Sequence, residues 1–221
     1  MRALIVLSLL VFVTDMALAV PVAINRRDVK FPTQQMVEKQ SYFDVLASSS
    51  IRLKSGTAGP TSAAALTLST FDNQPDFARN IEISPGGTTG DIEYCEVAIN
   101  GTDLSGAVLQ EKLVFQANAT QKVVGNKAFK TVTSVAWPIN CESGGFAATW
   151  SIGIGEKLGV KACMGNAGDV LFSLLNGSKE ATGPTIAVHA TIMASNTTDF
   201  VGTMNNANDL VLYFFQNFGC F

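Results

Sequence analysis

From Ile51 onward the sequence consists of short runs of Val, Ile, Thr and aromatic residues, separated by Gly, Asn, Asp and Pro. This texture is typical of strands joined by turns, and no run carries a convincing helical period. We therefore predict an all-β fold over residues 51–221, a β-sandwich or jelly-roll-like domain of about eight or nine strands.

The strand positions follow from alternation of apolar and polar residues. Ile81 and Ile83, for example, alternate with Asn80 and Glu82, which predicts that the two pairs face opposite sides of a sheet. The predicted strands cover residues 63–71, 79–84, 91–99, 107–116, 128–137, 147–154, 170–175, 186–194 and 209–215.

Turn residues complete this pattern. Asn100-Gly101 and Asn176-Gly177 tolerate positive φ, so each predicts a hairpin turn. The second hairpin is expected to pair residues 170–175 with residues 186–194 across a longer loop. The glycine-rich residues 153–159 are expected to form a corner between strands.

Composition excludes two classes of protein. The 221 residues suffice for one domain with arms. Hydrophobic residues make up 47% and charged residues 15%, and the mean hydropathy is +0.26, which excludes a disordered polyelectrolyte. A net charge of −3 and a pI near 5.1 provide no basic footprint, so we expect no nucleic-acid partner.

The first 19 residues resemble an export signal. Met-Arg is followed by an apolar stretch over residues 3–13, and Ala17-Leu18-Ala19 fits a small-x-small cleavage site. Two alternatives stay open: Met16 is the true start, or the apolar stretch is a structural strand or anchor. After removal of this leader we expect no membrane association.

Residues 20–50 are expected to form an extended arm, which serves either as a domain linker or as a contact with a neighbouring subunit. Pro21 and Pro32 interrupt this segment. Within it, Thr33 to Ala47 could hold one short helix whose apolar side consists of Val37, Phe43 and Leu46.

The four cysteines allow two interpretations. An exported chain would form two disulfides, with three pairings open, whereas a chain kept in a reducing cell would hold free thiols. No Cys-x-x-Cys spacing indicates a zinc or redox site. These residues are Cys95, Cys141, Cys163 and Cys220.

Candidate chemical groups are scattered along the chain. His189 is the single histidine and is expected inside a strand, where packing is a commoner role than catalysis. Gly153-x-Gly155-x-x-x-Gly159 lacks the spacing of a dinucleotide loop. Asn-x-Ser/Thr sequons are slightly more frequent than chance predicts, an excess too small to decide anything. They begin at Asn100, Asn118, Asn176 and Asn196.

Acidic and aromatic residues give three further hypotheses. Asp91 and Glu93 are expected on one strand face and Glu96 on the other. We favour solvent-exposed carboxylates over a catalytic pair of a glycosidase. Trp137 and Trp150 are expected in the core rather than on a sugar platform. Oxygen ligands for Ca²⁺ are available but lack EF-hand spacing. Those ligands are Asp72, Asn73, Asp76 and Asp103. We thus assign no catalytic, cofactor-binding or metal residue.

Five ordered segments resemble a widespread, loosely described group of tailed-bacteriophage virion proteins. The group's pattern runs Pro-Asp-x-x-Arg-Asn, Gly-Thr-Asp-x-x-Gly, Gly-x-Lys-Ala-Phe-Lys-Thr-Val and Gly-Asp-Lys-Leu-Gly. The resemblance covers about residues 73–160, with a weaker echo near residues 208–213. The matching segments are residues 75–81, 101–106, Glu111, 125–132 and 155–159.

The resemblance implies a non-enzymatic, β-rich structural component of a capsid or tail, such as a head decoration or cement protein. It implies self-association into a homo-oligomer and contact with the major capsid or tail protein. No catalytic residue and no cofactor carry over. The alternative is a secreted or surface β-sandwich, stabilised by disulfides, that binds a glycan or a protein.

Overall fold

The computed structural model describes residues 36–60, 64–87, 90–118, 120–143 and 148–216, all within the unit Met36–Phe221. This part of the chain is all-β, as predicted, and forms fourteen strands. Its helical structure consists of two 3₁₀ turns, Ala167–Asp169 and Met193–Ser195. Within the described ranges, no helix has the length and apolar character needed to span a membrane.

Five of these strands were not predicted. Two are long, at residues 36–42 and 49–58, and three are only two or three residues long, too short to show alternation. The bounds of the fourteen strands are β1 Met36–Tyr42, β2 Ser49–Ala58, β3 Leu66–Leu68, β4 Arg79–Gly86, β5 Cys95–Thr102, β6 Val108–Phe115, β7 Val123–Val124, β8 Thr131–Trp137, β9 Thr149–Gly159, β10 Val170–Leu175, β11 Ser178–Lys179, β12 Thr185–Ala187, β13 Thr197–Asp199 and β14 Leu210–Gln216.

These strands form three antiparallel sheets. The first has the order β1-β14-β10-β11, the second β12-β13-β9-β4-β7 with β2 also paired to β9, and the third β3-β8-β5-β6. The larger apolar core lies between β2, β4 and β9 on one side and β5, β6 and β8 on the other. A second core joins β1 and β14 to the end of β9 and the chain that follows it.

The predicted arm needs correction where the structure describes it. The helix suggested between residues 33 and 47 is wrong, because residues 36–42 form β1 and pair in continuous register with β14. Val37 and Phe43 are 55% and 60% exposed rather than packed on one helical side. Long-range pairing outweighs the thin apolar stripe. The predictions for residues 1–35 lie outside the described residues.

One predicted turn is misplaced and one is confirmed. Asn100 and Gly101 continue β5, and the β5–β6 turn lies at residues 103–106. Asn176 and Gly177 do form a two-residue turn, with φ of 49° and 79°. The partner of β10 in that hairpin is β11, however, and not the predicted residues 186–194.

The predicted corner at residues 153–159 is wrong, because β9 continues through it to Gly159. A side chain at Gly155 would overlap the amide of Asn80, whose Cγ lies 2.7 Å from the position of the missing Cβ. The glycine therefore serves close approach of two strands rather than a change of direction.

Candidate functional site

The segments that carry the resemblance form buried polar contacts. Arg79 is 0% exposed, and its Nε and Nη2 donate to the carbonyl oxygen of Gly155 at 2.9 and 2.6 Å. Its Nη1 donates to the carboxylate of Asp76 at 3.1 Å and to the carbonyl oxygen of Leu46 at 2.8 Å. The guanidinium thus joins three separate parts of the chain.

Asn80 holds the next connection. Its amide nitrogen donates to the carbonyl of Gly125 at 3.0 Å, and its amide oxygen accepts from the backbone of Lys157 at 2.9 Å. Both Asn80 and Glu82 are buried, so the predicted polar face of this strand is not exposed to solvent. Strand β4 lies between β9 and β7, so it is a central strand of its sheet.

Glu111 organises the loop that precedes Phe129. Its carboxylate accepts from the backbone nitrogens of Asn126 and Lys127 at 2.7 and 3.2 Å. Burial raises the pKa of Glu111, and these two hydrogen bonds oppose the rise. The resembling segments therefore supply a scaffold of packed and hydrogen-bonded residues.

The cysteines form disulfides, which agrees with the oxidised interpretation. Cys95 and Cys141 are joined across a sequence separation of 46 residues, with a Cα–Cα distance of 5.2 Å. Cys163 is also disulfide-bonded. Cys220 lies outside the described residues.

Both tryptophans belong to the core, as predicted. Trp137 and Trp150 are 1% and 0% exposed, with ring centroids 5.8 Å apart. Trp150 Nε1 donates to Glu142 Oε1 at 2.7 Å. The hydrogen bond between Trp150 and Glu142 is next to the disulfide in sequence, because Glu142 follows Cys141 directly.

The acidic residues considered for catalysis do not share one strand face. Asp91 is buried and Glu93 is exposed, and both precede the start of β5 at Cys95. Glu96 forms a surface ion pair with Lys112 at 2.9 Å. The prediction of a paired face fails because residues 91–93 precede β5 and form only an isolated β-bridge, between Ile92 and Glu142.

The oxygen ligands considered for Ca²⁺ are used in separate local contacts. Asp72 pairs with Lys54 at 2.8 Å, and Asn73 donates to the carbonyl of Arg52 at 3.1 Å. Asp76 binds Arg79. Among the residues with described positions, no three His, Cys, Asp or Glu side chains are grouped to hold a metal ion.

Asp103, the last of these candidates, shapes one wall of an exposed groove. Its Oδ1 accepts from Ser105 N, Ser105 Oγ and Ala107 N at 2.9, 2.6 and 3.0 Å. Gly106, with φ of 87°, closes the turn by donating to the Asp103 carbonyl at 3.1 Å. One side chain thus fixes the β5–β6 turn, in the manner of an Asx turn.

Asn196 and His189 shape the opposite wall. Asn196 is 0% exposed; its Oδ1 accepts from Met164 N and His189 N, and its Nδ2 donates to the carbonyls of His189 and Ile192. His189 Nδ1 accepts from Ile192 N at 3.0 Å. His189 lies after β12 rather than within a strand, which corrects the prediction. Of the four sequon residues, Asn196 is thus sealed inside the fold.

Between these walls lies the apolar groove, a cavity of about 490 Å³. Val108, the first residue of β6, is 92% exposed, and Ile192, on the loop after β12, is 43% exposed. The residues that face the groove include Asp103, Ser105, Val108, Ile192, Met193 and Ala194.

Sequence reasoning did not identify the apolar groove. It singled out Asp103, His189 and Asn196 as isolated residues, and the structure brings their loops to one place. Val108 and Ile192 were counted as ordinary strand residues. The two segments, residues 103–109 and 189–196, are about eighty positions apart in sequence, so no local pattern connects them.

Comparison of the chain with protein-family models, with curated proteins and with solved structures finds no match.

Proposed function

We propose that this chain is a non-enzymatic structural protein of a virion, a capsid decoration or cement protein that acts through protein–protein contacts. The observation that carries this proposal is the apolar groove, in which Val108 of β6 and Ile192 are exposed beside hydrogen-bonded loops. The resemblance to virion proteins supports the same structural role, because the residues that carry it form packing contacts and hydrogen bonds within the fold.

The physical reason for such a groove is the gain from covering it. Burying a Val or Ile side chain contributes about 1.5–3 kcal/mol, and rigid loops lose little conformational freedom on binding. A stable contact covers about 800 Å² on each partner, so the groove would form the apolar centre of a larger polar interface. The major capsid or tail protein is the proposed partner.

The test is attachment to particles that lack this chain. We expect the double variant Val108→Ser, Ile192→Ser to bind such particles at least about tenfold more weakly, since two central anchors are lost. The matched control is Val201→Ser, Ile139→Ser, which changes side chains that are 62% and 49% exposed outside the groove. Equal binding of the groove variant and the wild type would contradict the proposal.

The disulfides favour a second candidate, a secreted or surface β-sandwich that binds a glycan or a protein. The Cys95–Cys141 disulfide and the disulfide of Cys163 are of a kind that persists in oxidising compartments. The intact mass of the native protein, before and after reduction, separates the candidates. A mass without residues 1–19 that rises on reduction would support the secreted protein; a full-length mass unchanged by reduction would support cytoplasmic assembly.

A further inference from the structure

A second cavity lies on the other side of the β5–β6 turn. Asp103 and Ser105 face the apolar groove, whereas Leu104 faces this second cavity of about 350 Å³. Its lining includes the aromatic residues Tyr42 and Phe77, and the charged residues Lys130 and Lys161. We call it the lysine pocket.

The lysine pocket has two unpaired cations. Lys130 and Lys161 are exposed, and neither ammonium group has a hydrogen-bond or ion-pair partner among the described residues. The pocket's lining contains no carboxylate. Its charge is therefore positive although the whole chain carries −3, and an anionic group would be attracted to it.

The other polar groups of the lysine pocket are already satisfied. Tyr42 Oη and Gln40 Nε2 donate to the carbonyl oxygen of Gly159 at 2.9 and 3.0 Å. Gln40 Oε1 accepts from the backbone of Lys161 at 2.8 Å. Burial raises the pKa of Tyr42, so its phenol stays neutral. The lining thus combines two ammonium groups with the aromatic residues Tyr42 and Phe77, which suits a carboxylate that lies beside an apolar side chain.

The chain presents this complementary pair directly after the pocket. Phe43 is 60% exposed and Asp44 is exposed, while Tyr42 and Val45 on either side are buried at 2% and 0%. Asp44 N donates to Asp209 Oδ1 at 3.3 Å, which helps to fix the backbone. The Asp44 carboxylate has no hydrogen-bond or ion-pair partner in the described part of the chain. We call Phe43 and Asp44 the knob.

We propose that a second copy of this chain docks on the lysine pocket, with the knob of each copy entering the pocket of the other. A two-fold contact requires that one surface patch carry both complementary parts. This chain meets that requirement in sequence, because Tyr42 lines the lysine pocket and Phe43 and Asp44 follow it directly. Asp44 then lies against Lys130 and Lys161 of the other copy, and Phe43 covers its apolar floor. This inference rests on the proposed function, since it supplies the self-association that an assembly protein needs.

The experiment is charge reversal followed by sedimentation velocity of the full chain over a range of concentrations. We expect the wild type to dimerise, and Asp44→Lys alone or Lys130→Glu with Lys161→Glu to weaken the dimer at least about tenfold. Combining all three substitutions should restore it, because the charges are then exchanged. The matched control, Lys112→Glu with Lys179→Glu, changes two exposed lysines outside the pocket and should dimerise as the wild type does.

Particle attachment, measured on the same variants, separates this inference from the proposed function. A monomeric wild type, or a dimer unaffected by reversal of Asp44, would overturn the docking contact. If the protein still binds particles in either of these cases, the proposed virion function stands although the docking contact does not. A chain that dimerises through the knob but never binds particles would support the contact and contradict the virion function.

Discussion

Arg79 and Gly155 are joined by two hydrogen bonds from one guanidinium to one carbonyl oxygen, at 2.9 and 2.6 Å. The same guanidinium binds the Asp76 carboxylate, and Arg79 has no exposed surface. A buried charge with this many partners holds β4, β9 and the chain before β2 in one arrangement.

Replacing Arg79 should therefore destabilise the fold strongly. We expect Arg79→Met to lower the free energy of unfolding by about 3–5 kcal/mol, since the Asp76 carboxylate and two carbonyls lose their donor. Urea unfolding followed by tryptophan fluorescence measures this loss. Lys54→Met is the control: it breaks the more exposed pair with Asp72 and should cost about 0–1 kcal/mol. Equal losses in the two variants would contradict the role given to Arg79.

The Cys95–Cys141 disulfide should contribute to stability under oxidising conditions. We expect Cys95→Ala with Cys141→Ala to lower the free energy of unfolding by about 2–5 kcal/mol, because the bridge closes a loop of 46 residues. Thermal or urea unfolding without reductant is the measurement. A reduced wild type that unfolds at the same urea concentration as the oxidised protein would show that the bridge contributes nothing.

Glu142 should make stability depend on pH. Burial raises its pKa above the ordinary value of 4.5, nearby Asp91 adds to the rise, and hydrogen bonds from Trp150 and Ala148 oppose it. An acid with a higher pKa in the folded chain binds its proton more readily there. The free energy of unfolding then falls as pH rises from the ordinary pKa through the raised one.

Glu142→Gln removes this titration while keeping an acceptor for Trp150 Nε1. We expect the wild type minus variant difference in unfolding free energy to fall with rising pH above about 4.5 and then level off. Urea unfolding at a series of pH values provides the curve. A difference that stays constant or rises with pH would show that the carboxyl is not desolvated in the folded state.

Asn196 should control the shape of the apolar groove. Asn196→Asp replaces the nitrogen that donates to the carbonyls of His189 and Ile192, so three oxygens would face each other. We expect faster hydrogen exchange of the His189 and Ile192 amides and weaker attachment to particles. Asn205→Asp is the control. Among the described residues, the Asn205 side chain forms one hydrogen bond, in which its oxygen accepts from Ala207 N, and aspartate keeps that acceptor. Unchanged exchange in the Asn196 variant would show that the loop is held by other contacts.

The fold class and the core could be predicted because both depend on local patterns. Alternation located most long strands, and the burial expected of Trp137 and Trp150 is confirmed. The β1 strand could not be predicted, because its partner β14 lies about 170 residues further along the chain. The hairpin turn predicted at Asn100-Gly101 is wrong for a related reason. The turn forms after β5 instead, where the Asp103 side chain accepts hydrogen bonds from the turn backbone.

The candidate site was less accessible to sequence reasoning. Its walls depend on side chains that bind distant backbone groups, such as Asn196 with Met164. A sequence shows that Asp103, His189 and Asn196 are polar, but it does not show which backbone groups they satisfy. The glycines of β9 are a similar case, since the reason for Gly155 is the approach of Asn80.

The most direct test of the virion function is quantitative mass spectrometry of purified particles from the source of this sequence. The account predicts that the chain is present in a fixed ratio to the major capsid or tail protein, and that particles exclude the Val108→Ser, Ile192→Ser variant. A chain absent from particles and recovered instead from the medium, without residues 1–19, would contradict it and favour the secreted protein.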